Sequence, residues 1–301
     1  GCFSTAVSLE PRSHMAYFQR GLNRMNLKKY QGAMEDFAKV IKLRPKLTAG
    51  YLNRALAYRA LRKFPAAIAD LTKAIELGTP QTRVYFLGSD LRRLVRDTEG
   101  AEAVRKIGLV RITSDVRSWI SRGLAQLKTD PESVLADFRQ ALNLNPASKA
   151  ALLKCANVLA DRLNRPEEAL EAVNQILQRN EKDTDALASR AVLNARAGKR
   201  EAVVSDIQQL LRMSNEPKLL FQAACAFSLT SAVENSDASK AMTLLTQVVQ
   251  TDPRWFVRAH TDPDMKPLRE TAAFQTLAAN TREINRMKID LNKAAKNKTA
   301  K

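Results

Sequence analysis

The chain has 301 residues, of which 45% are hydrophobic and only 6% aromatic, and its 49 Lys and Arg against 31 Asp and Glu give a formal net charge of +18. The scarcity of Gly and Pro, with 10 and 11 residues, argues against a turn-rich β-sandwich or barrel and favours helices. Three widely spaced cysteines indicate neither a disulfide framework nor a zinc site, and no apolar run approaches the length of a membrane span.

The first predicted element is an amphipathic helix at the start of the chain, within GCFSTAVSLEPRS. Its apolar positions and its proline recur at one constant interval further along, within FAKVIKLRPKL. The matched pairs are Phe3 with Phe37, Ala6 with Val40, and Pro11 with Pro45. The two members of each pair are 34 positions apart. A constant interval of this length is typical of a repeat architecture.

Each of the next two repeats is predicted to be a pair of helices. Gly21 and Ala33 in the first repeat correspond to Ala55 and Ala67, which lie one interval later. Small side chains at these places allow two helices to approach closely, and large side chains fill the space between them. The large side chains are Tyr17, Phe37, Tyr51 and Leu71. A proline after the second helix stops its continuation.

The later repeats depart from this pattern to different extents. The third keeps Tyr85 and Ala101 but places Arg105 at the large apolar position. The fourth restores the pattern with an inter-helix turn one residue shorter. The restored residues are Gly123, Phe138, Ala141 and Pro146. The sixth has Asp206 at the large apolar position, and the seventh closes on Pro253.

These repeats resemble the tetratricopeptide repeat, a helix-turn-helix unit with the same period of about 34 residues. The resemblance implies an all-α solenoid of stacked helix pairs that forms a right-handed superhelix. Residues 1–11 are then a half repeat, 14–253 an array of about seven repeats, 254–281 capping helices and 282–301 a basic tail. Because a lone second helix cannot bury its apolar stripe, we expect a truncated first repeat; a natural half-repeat cap is the alternative.

A second resemblance concerns the segments YFLGSDLRRL, LADFRQALNLNP, LNRPEEALEAV, FQAACAFSLTS and TDPDMKPLRETAAFQTL. They are similar to the C-terminal repeat regions of large bacterial serine/threonine protein kinases. The sequence itself has no Gly-rich phosphate loop after a strand, no His-Arg-Asp loop and no Asp-Phe-Gly. If the resemblance holds, the kinase domain belongs to a segment that precedes Gly1.

The residues give no indication of catalysis. The two histidines, His14 and His260, lie near opposite ends of the chain, so they form no local cluster for metal binding or nucleophilic catalysis. Nucleotide-binding glycine motifs, Walker loops and Gly-x-Ser-x-Gly are absent. We therefore predict a non-enzymatic chain without metal or cofactor. Cys155 and Cys225 lie in apolar helical stretches and are predicted to be buried thiols, which fits a cytoplasmic location.

The family resemblance implies that an extended peptide binds on the concave surface lined by the first helix of each repeat. The candidate groove alternates an apolar floor with a basic rim, which suits a protein or peptide partner with apolar and acidic residues. Some of these side chains could instead only fill space between repeats. The candidates are Phe18, Leu22, Met25, Leu52, Asn53, Leu56, Arg59, Arg83, Phe86, Asp90, Arg93, Arg117, Ile120, Leu124, Lys154, Val158 and Arg162.

One known binding mode of the family grips a chaperone's C-terminal carboxylate with five polar positions. Asn53 and Arg83 match two of them, but Phe18, Leu22 and Leu87 occupy the other three. Such an incomplete clamp leaves the carboxylate without most of its charge-assisted hydrogen bonds, so we reject this mode.

Two other classes of function remain as alternatives to a protein-interaction scaffold. The charge of +18 fits a binder of nucleic acid or another polyanion, although the usual aromatic stacking pairs and a base-reading code are missing. The repeats could also serve a purely structural or oligomerising role. The sequence leaves the oligomeric state and the identity of the partner open.

Overall fold

The helices follow one another in antiparallel pairs, as the periodicity predicts. The computed structural model describes residues 2–111, 113–128 and 130–281, and all regular elements in these ranges are helical. The all-α class and the paired-helix repeat are therefore confirmed. The predicted basic tail, 282–301, lies outside the described residues.

The chain divides into two compact units, unit 1 (Gly1–Ala151) and unit 2 (Leu152–Lys301). The helices up to the boundary are α1 (Cys2–Leu9), α2 (His14–Asn26), α3 (Tyr30–Leu43), α4 (Thr48–Ala60), α5 (Phe64–Glu76), α6 (Arg83–Leu94), α7 (Thr98–Val110), α8 (Val116–Ala125), α9 (Pro131–Leu144) and α10 (Lys149–Asp161). Those that follow are α11 (Pro166–Arg179), α12 (Thr184–Arg196), α13 (Arg200–Met213), α14 (Pro217–Thr230), α15 (Asn235–Thr251), α16 (Arg254–Thr261), a 3-10 helix (Pro263–Leu268) and α17, which is described over 272–281.

In unit 1, α1 packs against α2, and four helix pairs follow it: α2 with α3, α4 with α5, α6 with α7, and α8 with α9. The second helix of a pair also packs against the first helix of the next, as α3 does on α4 and α5 on α6. The step from α7 to α8 is different, because these two helices touch only slightly and α6 contacts α8 directly. In unit 2, α12 pairs with α13 and α14 with α15, and the 3-10 helix packs on α14.

In four of the repeats, a small residue on the first helix faces a large buried residue on the second. A Cβ added to Gly21 would lie 2.7 Å from Cε1 of Phe37, and one added to Gly123 would lie 2.5 Å from Cε1 of Phe138. Both distances are shorter than van der Waals contact, so a phenylalanine on the second helix requires glycine on the first. The Phe37 and Phe138 side chains are almost completely buried as a result.

Where the large residue is smaller, the small residue is alanine. Ala55 packs in one cluster with Leu71, which follows it at the same sequence interval that separates Gly21 from Phe37. In the sixth repeat this interval joins Ala191 to Ile207, and both side chains are buried. The expectation that Asp206 takes the large apolar position is therefore wrong.

The aspartate beside the large position has its own role, which the sequence analysis missed. Asp36 accepts hydrogen bonds from Arg20 and Arg24, with 2.6 Å between Nη2 of Arg20 and Oδ1. Equivalent arginine–aspartate pairs join the two helices of later repeats. They are Arg54–Asp70 at 2.7 Å, Arg122–Asp137 at 3.5 Å and Arg190–Asp206 at 2.7 Å. Since the carboxylates are buried and the arginines partly exposed, each pair fixes the register of its helices.

The turn inside each helix pair also repeats. One residue adopts a positive φ at the equivalent place of three successive repeats, which is Lys28, Arg62 and Arg96, and again at Asn164 and Gly198. This left-handed residue ends the first helix and lets the chain reverse within a short turn. In the fourth repeat, whose turn is one residue shorter, Asp130 instead precedes the second helix as its N-cap, and its side chain accepts a hydrogen bond from the backbone N–H of Ser133.

We predict that Gly21→Ala lowers the unfolding free energy by about 1–3 kcal/mol, because the added methyl group collides with Phe37. The double variant Gly21→Ala with Phe37→Leu reproduces the Ala55–Leu71 arrangement. Its loss of unfolding free energy should therefore be smaller than the sum of the losses in the two single variants. Urea denaturation of the four proteins gives this coupling energy. Additive losses would contradict the size complementarity of this pair.

We also predict that part of the stability of unit 2 depends on the ionised carboxylate of Asp237. Burial raises the pKa of Asp237, but hydrogen bonds from Arg200, Lys240 and Thr230 outweigh it and lower the pKa to about 2. The folded pKa lies below the ordinary value of 3.8, so the contribution is present above pH 3.8 and is lost as the pH falls towards 2.

Wild type should therefore lose about 2 kcal/mol more than Asp237→Asn over this pH range in denaturant unfolding. Glu181→Gln, which changes an exposed carboxylate, should follow the wild-type curve. Parallel curves for wild type and Asp237→Asn would show that the ionised carboxylate contributes nothing.

Candidate partner-binding groove

Unit 1 contains a cavity of about 860 Å³ that is lined by α4, α6, α7, α8 and the turn after α8. Its floor is apolar and its rim is charged. Eight of the candidate groove residues lie together around it. They are Leu52, Leu56, Arg59, Arg83, Phe86, Asp90, Arg93 and Leu124.

Three candidates from α2 belong to a different part of unit 1. Phe18, Leu22 and Met25 pack against the buried cluster that includes Phe37 and are only partly exposed. The rings of Phe18 and Phe37 meet edge to face, with 5.8 Å between their centroids. These side chains hold α2 to its neighbours and do not line the cavity.

Three other candidates in unit 1 also lie outside the cavity lining. Asn53 donates a hydrogen bond from Nδ2 to the carbonyl oxygen of Ala49. Ile120 is half-buried, and Arg117 is exposed near the beginning of α8. Arg117 influences the cavity only through its charge, which acts on Arg83.

The remaining three candidates lie in unit 2, in or just after α10. Val158 is buried, with 3% of its surface exposed, so it is a core residue. Lys154 is half-buried and Arg162 exposed, and neither lines a cavity described here. The sequence analysis therefore placed in one groove residues that the structure distributes over two units.

The cavity also contains residues that the sequence analysis did not include. These are Leu87, Glu102, Arg105, Ser121, Ala125, Leu127 and Lys128. Glu102 and Arg105 lie on the second helix of the third repeat, and Leu127 and Lys128 lie in the turn after α8, whereas the candidates were chosen from first-helix positions. The signal for Arg105 was present, because an arginine at the large apolar position is an evident departure from the repeat.

The charged rim has more positive than negative side chains. Five cationic groups and two carboxylates, Asp90 and Glu102, line the cavity, which leaves an excess of three positive charges. Glu102 lies 3.1 Å from Nη1 of Arg105 and 3.7 Å from Nη2 of Arg93. Burial raises the pKa of Asp90, while the charges of Arg93 and Arg59 oppose this change. The rim should attract a negatively charged ligand.

Among the described residues, Arg83 is a cation of the rim with no carboxylate in a salt bridge to it, and its only side-chain hydrogen bond runs from Nη2 to Oε1 of Gln81 at 3.5 Å. Its backbone N–H donates to Oγ of Ser118, but Nε of its side chain is buried without a hydrogen-bond partner. Burial, together with the charge of Arg117, lowers the pKa of Arg83, although Asp115 opposes the effect. A buried donor without an acceptor and a like charge nearby both favour binding of an anion at this point.

Unit 2 has its own cavity of about 640 Å³, lined by α10, α12, α14, α16 and the 3-10 helix. Arg196 binds Asp161 at 2.6 Å and Asp264 at 2.8 Å, and so connects the 3-10 helix to α12. Burial lowers the pKa of Arg196, but its hydrogen bonds to Asp264 and Asp161 outweigh this effect and raise it. The charged groups of this cavity are thus largely satisfied by one another.

The thiols behave as expected from the sequence. Cys155 and Cys225 are both buried, which confirms that prediction. Burial raises the pKa of the Cys225 thiol. No group of three or more His, Cys, Asp or Glu side chains that could hold a metal occurs in the described ranges. Within the same part of the chain, every helix is too short or too polar to cross a membrane.

The tetratricopeptide repeat family model matches residues 16–47 and 49–77, which correspond to the helix pairs α2–α3 and α4–α5. These two segments are tetratricopeptide repeats. A comparison with curated protein sequences gives no significant match. The later repeats keep the same helix-pair architecture in the structure.

Solved structures of similar fold include three with low sequence identity. A chain of the APC/C hetero-tetramer Cut9–Hcn1 has a TM-score of 0.59 at 17% identity, over 74% of this chain and 45% of that chain. A tetratricopeptide repeat protein from Parabacteroides merdae has a TM-score of 0.57 at 17% identity, over 85% and 99%. The human IFIT1 dimer with m7Gppp-AAAA has a TM-score of 0.57 at 14% identity, over 93% and 72%.

These likenesses establish the repeat fold. The present chain spans less than half the length of the Cut9–Hcn1 chain that it matches. None of the three is described as a kinase, so the resemblance to kinase-associated repeat regions stays a prediction.

Proposed function

We propose that the chain is a non-catalytic scaffold that binds a protein or peptide partner in the cavity of unit 1. Tetratricopeptide repeats generally serve protein interactions, and nothing in the described residues indicates enzymatic activity. The observation that carries the proposal is that an apolar floor and an uncompensated basic rim meet in one cavity. A site of this kind binds a segment in which apolar and acidic residues alternate.

The floor of the cavity is suited to apolar side chains. Leu52 and Phe86 are buried beneath it, while Leu56 and Leu87 are partly exposed and Leu124 is 39% exposed. Covering these groups with a partner's Leu or Phe would remove further apolar surface from water. The floor therefore provides affinity, and the charged rim determines which segments are accepted.

A nucleic-acid ligand is the second candidate function. The chain has a charge of +18, and one protein of similar fold, human IFIT1, was solved with m7Gppp-AAAA. Phe86 is the single aromatic residue among those lining the cavity of unit 1, which offers little stacking surface for successive bases. The two functions differ in salt dependence. For nucleic-acid binding, the logarithm of the binding constant falls steeply and linearly with the logarithm of the salt concentration.

The scaffold would act within a larger assembly. We propose that it recruits a partner to an effector, and that the effector is a serine/threonine kinase domain in the same polypeptide if the second sequence resemblance is correct. The burial of Cys155 and Cys225 supports a reducing, cytoplasmic setting. A purely structural or oligomerising role predicts no saturable peptide binding at all.

We predict that peptide-display selection on the purified chain enriches segments with Asp or Glu next to Leu or Phe. Binding of an enriched peptide, measured by fluorescence anisotropy, should weaken at least about tenfold in Arg83→Glu and in Arg93→Glu, because each change reverses a charge on the cavity rim.

The matched control is Lys42→Glu, which makes the same change of charge at an exposed position of α3 outside the cavity. The affinity of this variant for the enriched peptide should stay near the wild-type value. Equal losses in all three variants would mean that the peptide responds only to total charge. Retention of a single-stranded RNA at near-physiological salt, without enrichment of any peptide, would favour the nucleic-acid alternative.

A further inference from the structure

The third repeat has an arginine at a position that other repeats reserve for the core. Phe37, Leu71, Phe138 and Ile207 occupy the equivalent place in four repeats, and each is at most 1% exposed. Arg105 takes this place on α7, and its side chain is 17% exposed. A guanidinium group cannot replace a buried aliphatic or aromatic side chain without access to polar partners or solvent.

Arg105 finds these partners at the wall of the cavity in unit 1. Its Nε donates to the carbonyl oxygen of Ala125 at 3.1 Å, near the end of α8, and its Nη1 donates to Oε1 of Glu102 at 3.1 Å. Among the described residues, Nη2 has no hydrogen-bond acceptor. The guanidinium group is therefore held by two acceptors, keeps N–H donors that these two bonds do not use, and belongs to a residue that lines the cavity.

The surrounding helices differ from the other repeats at this point. Helices α7 and α8 barely touch, and Ile107 and Val110 on α7 are 48% and 85% exposed. Ser89, which corresponds to Gly21 and Ala55, has a buried hydroxyl group without a hydrogen-bond partner. The third repeat thus keeps close packing between α6 and α7 but leaves an opening between α7 and α8, at which Arg105 lies.

Glu102 shows which kind of group fits beside Arg105. Its two carboxylate oxygens lie near the guanidinium groups of Arg105 and Arg93. The rim still has an excess of three positive charges with this carboxylate in place. A second carboxylate could therefore bind among Arg83, Arg93 and Arg105 without creating a net negative site.

We propose that Arg105 is a ligand-binding residue, which receives the carboxylate of an Asp or Glu side chain of the partner segment while the adjacent apolar side chain lies on the cavity floor. This proposal rests on the scaffold function above and adds the residue that determines specificity for the acidic group. In this role, the arginine at the core position serves recognition at the expense of packing.

The test uses the complete chain and a small probe, 3-phenylpropanoate, which combines a carboxylate with one apolar ring. Two further probes are 3-phenylpropanol, which lacks the charge, and phenyl phosphate, which carries a different anion. Titration is followed by NMR chemical-shift changes. Wild type should bind 3-phenylpropanoate saturably in the millimolar range and bind the alcohol at least about tenfold more weakly.

Arg105→Leu installs the residue that the second repeat has at this position, Leu71, and removes the proposed anion donor. Binding of 3-phenylpropanoate should weaken at least about tenfold, while the melting temperature should stay the same or rise, because the apolar side chain suits the core position. Arg105→Lys should give intermediate binding, since it keeps the charge but loses the planar fork. Lys42→Leu removes one charge elsewhere in unit 1 and should leave binding unchanged.

Several results would overturn the proposal. A melting temperature lowered by more than about 5 °C in Arg105→Leu, with unchanged binding, would make Arg105 a structural residue. Absence of saturable binding by wild type, or binding of phenyl phosphate more than about tenfold tighter than that of the carboxylate, would refute the assignment. If the selected peptides lose affinity in Arg83→Glu but not in Arg105→Leu, the scaffold function stands and only the role of Arg105 fails.

Discussion

The structure depends on one steric constraint, which is the close approach of the two helices within each repeat. A small residue on the first helix and a large one on the second meet at a fixed interval, and their sizes compensate: Gly21 faces Phe37, while Ala55 packs with Leu71. Because protein interiors tolerate neither overlap nor voids, this complementarity sets the distance between the helices. The arginine–aspartate pairs beside it, such as Arg54–Asp70, then fix the register.

Much of this architecture could be predicted from the sequence, because the constant repeat period determines which residues share a helix face. The assignment failed by one position at Asp206, where a polar residue was taken for the large apolar one that follows it. Periodicity cannot distinguish two adjacent positions unless the polar partner is considered. The recurring interval between Arg190 and Asp206, also seen between Arg20 and Asp36, would have resolved the ambiguity.

The candidate site was predictable only in part. Taking one face of each first helix selected Leu52, Arg83 and Phe86, which the structure places around one cavity. The same rule also selected Phe18, which packs on Phe37, and Val158, which belongs to the core of unit 2. The repeat pattern predicts which residues share one face of a helix. A cavity forms where neighbouring helices move apart, and the pattern does not predict where that happens.

The left-handed residue that ends the first helix in five of the repeats has a consequence for local stability. In unit 1 this place is taken by Lys28, Arg62 and Arg96, whereas later repeats have Asn164 and Gly198. A side chain with a long aliphatic stem is strained at positive φ by about 1–3 kcal/mol, while asparagine and glycine adopt this conformation readily. Turn strain is therefore concentrated in unit 1, the same unit that holds the basic cavity.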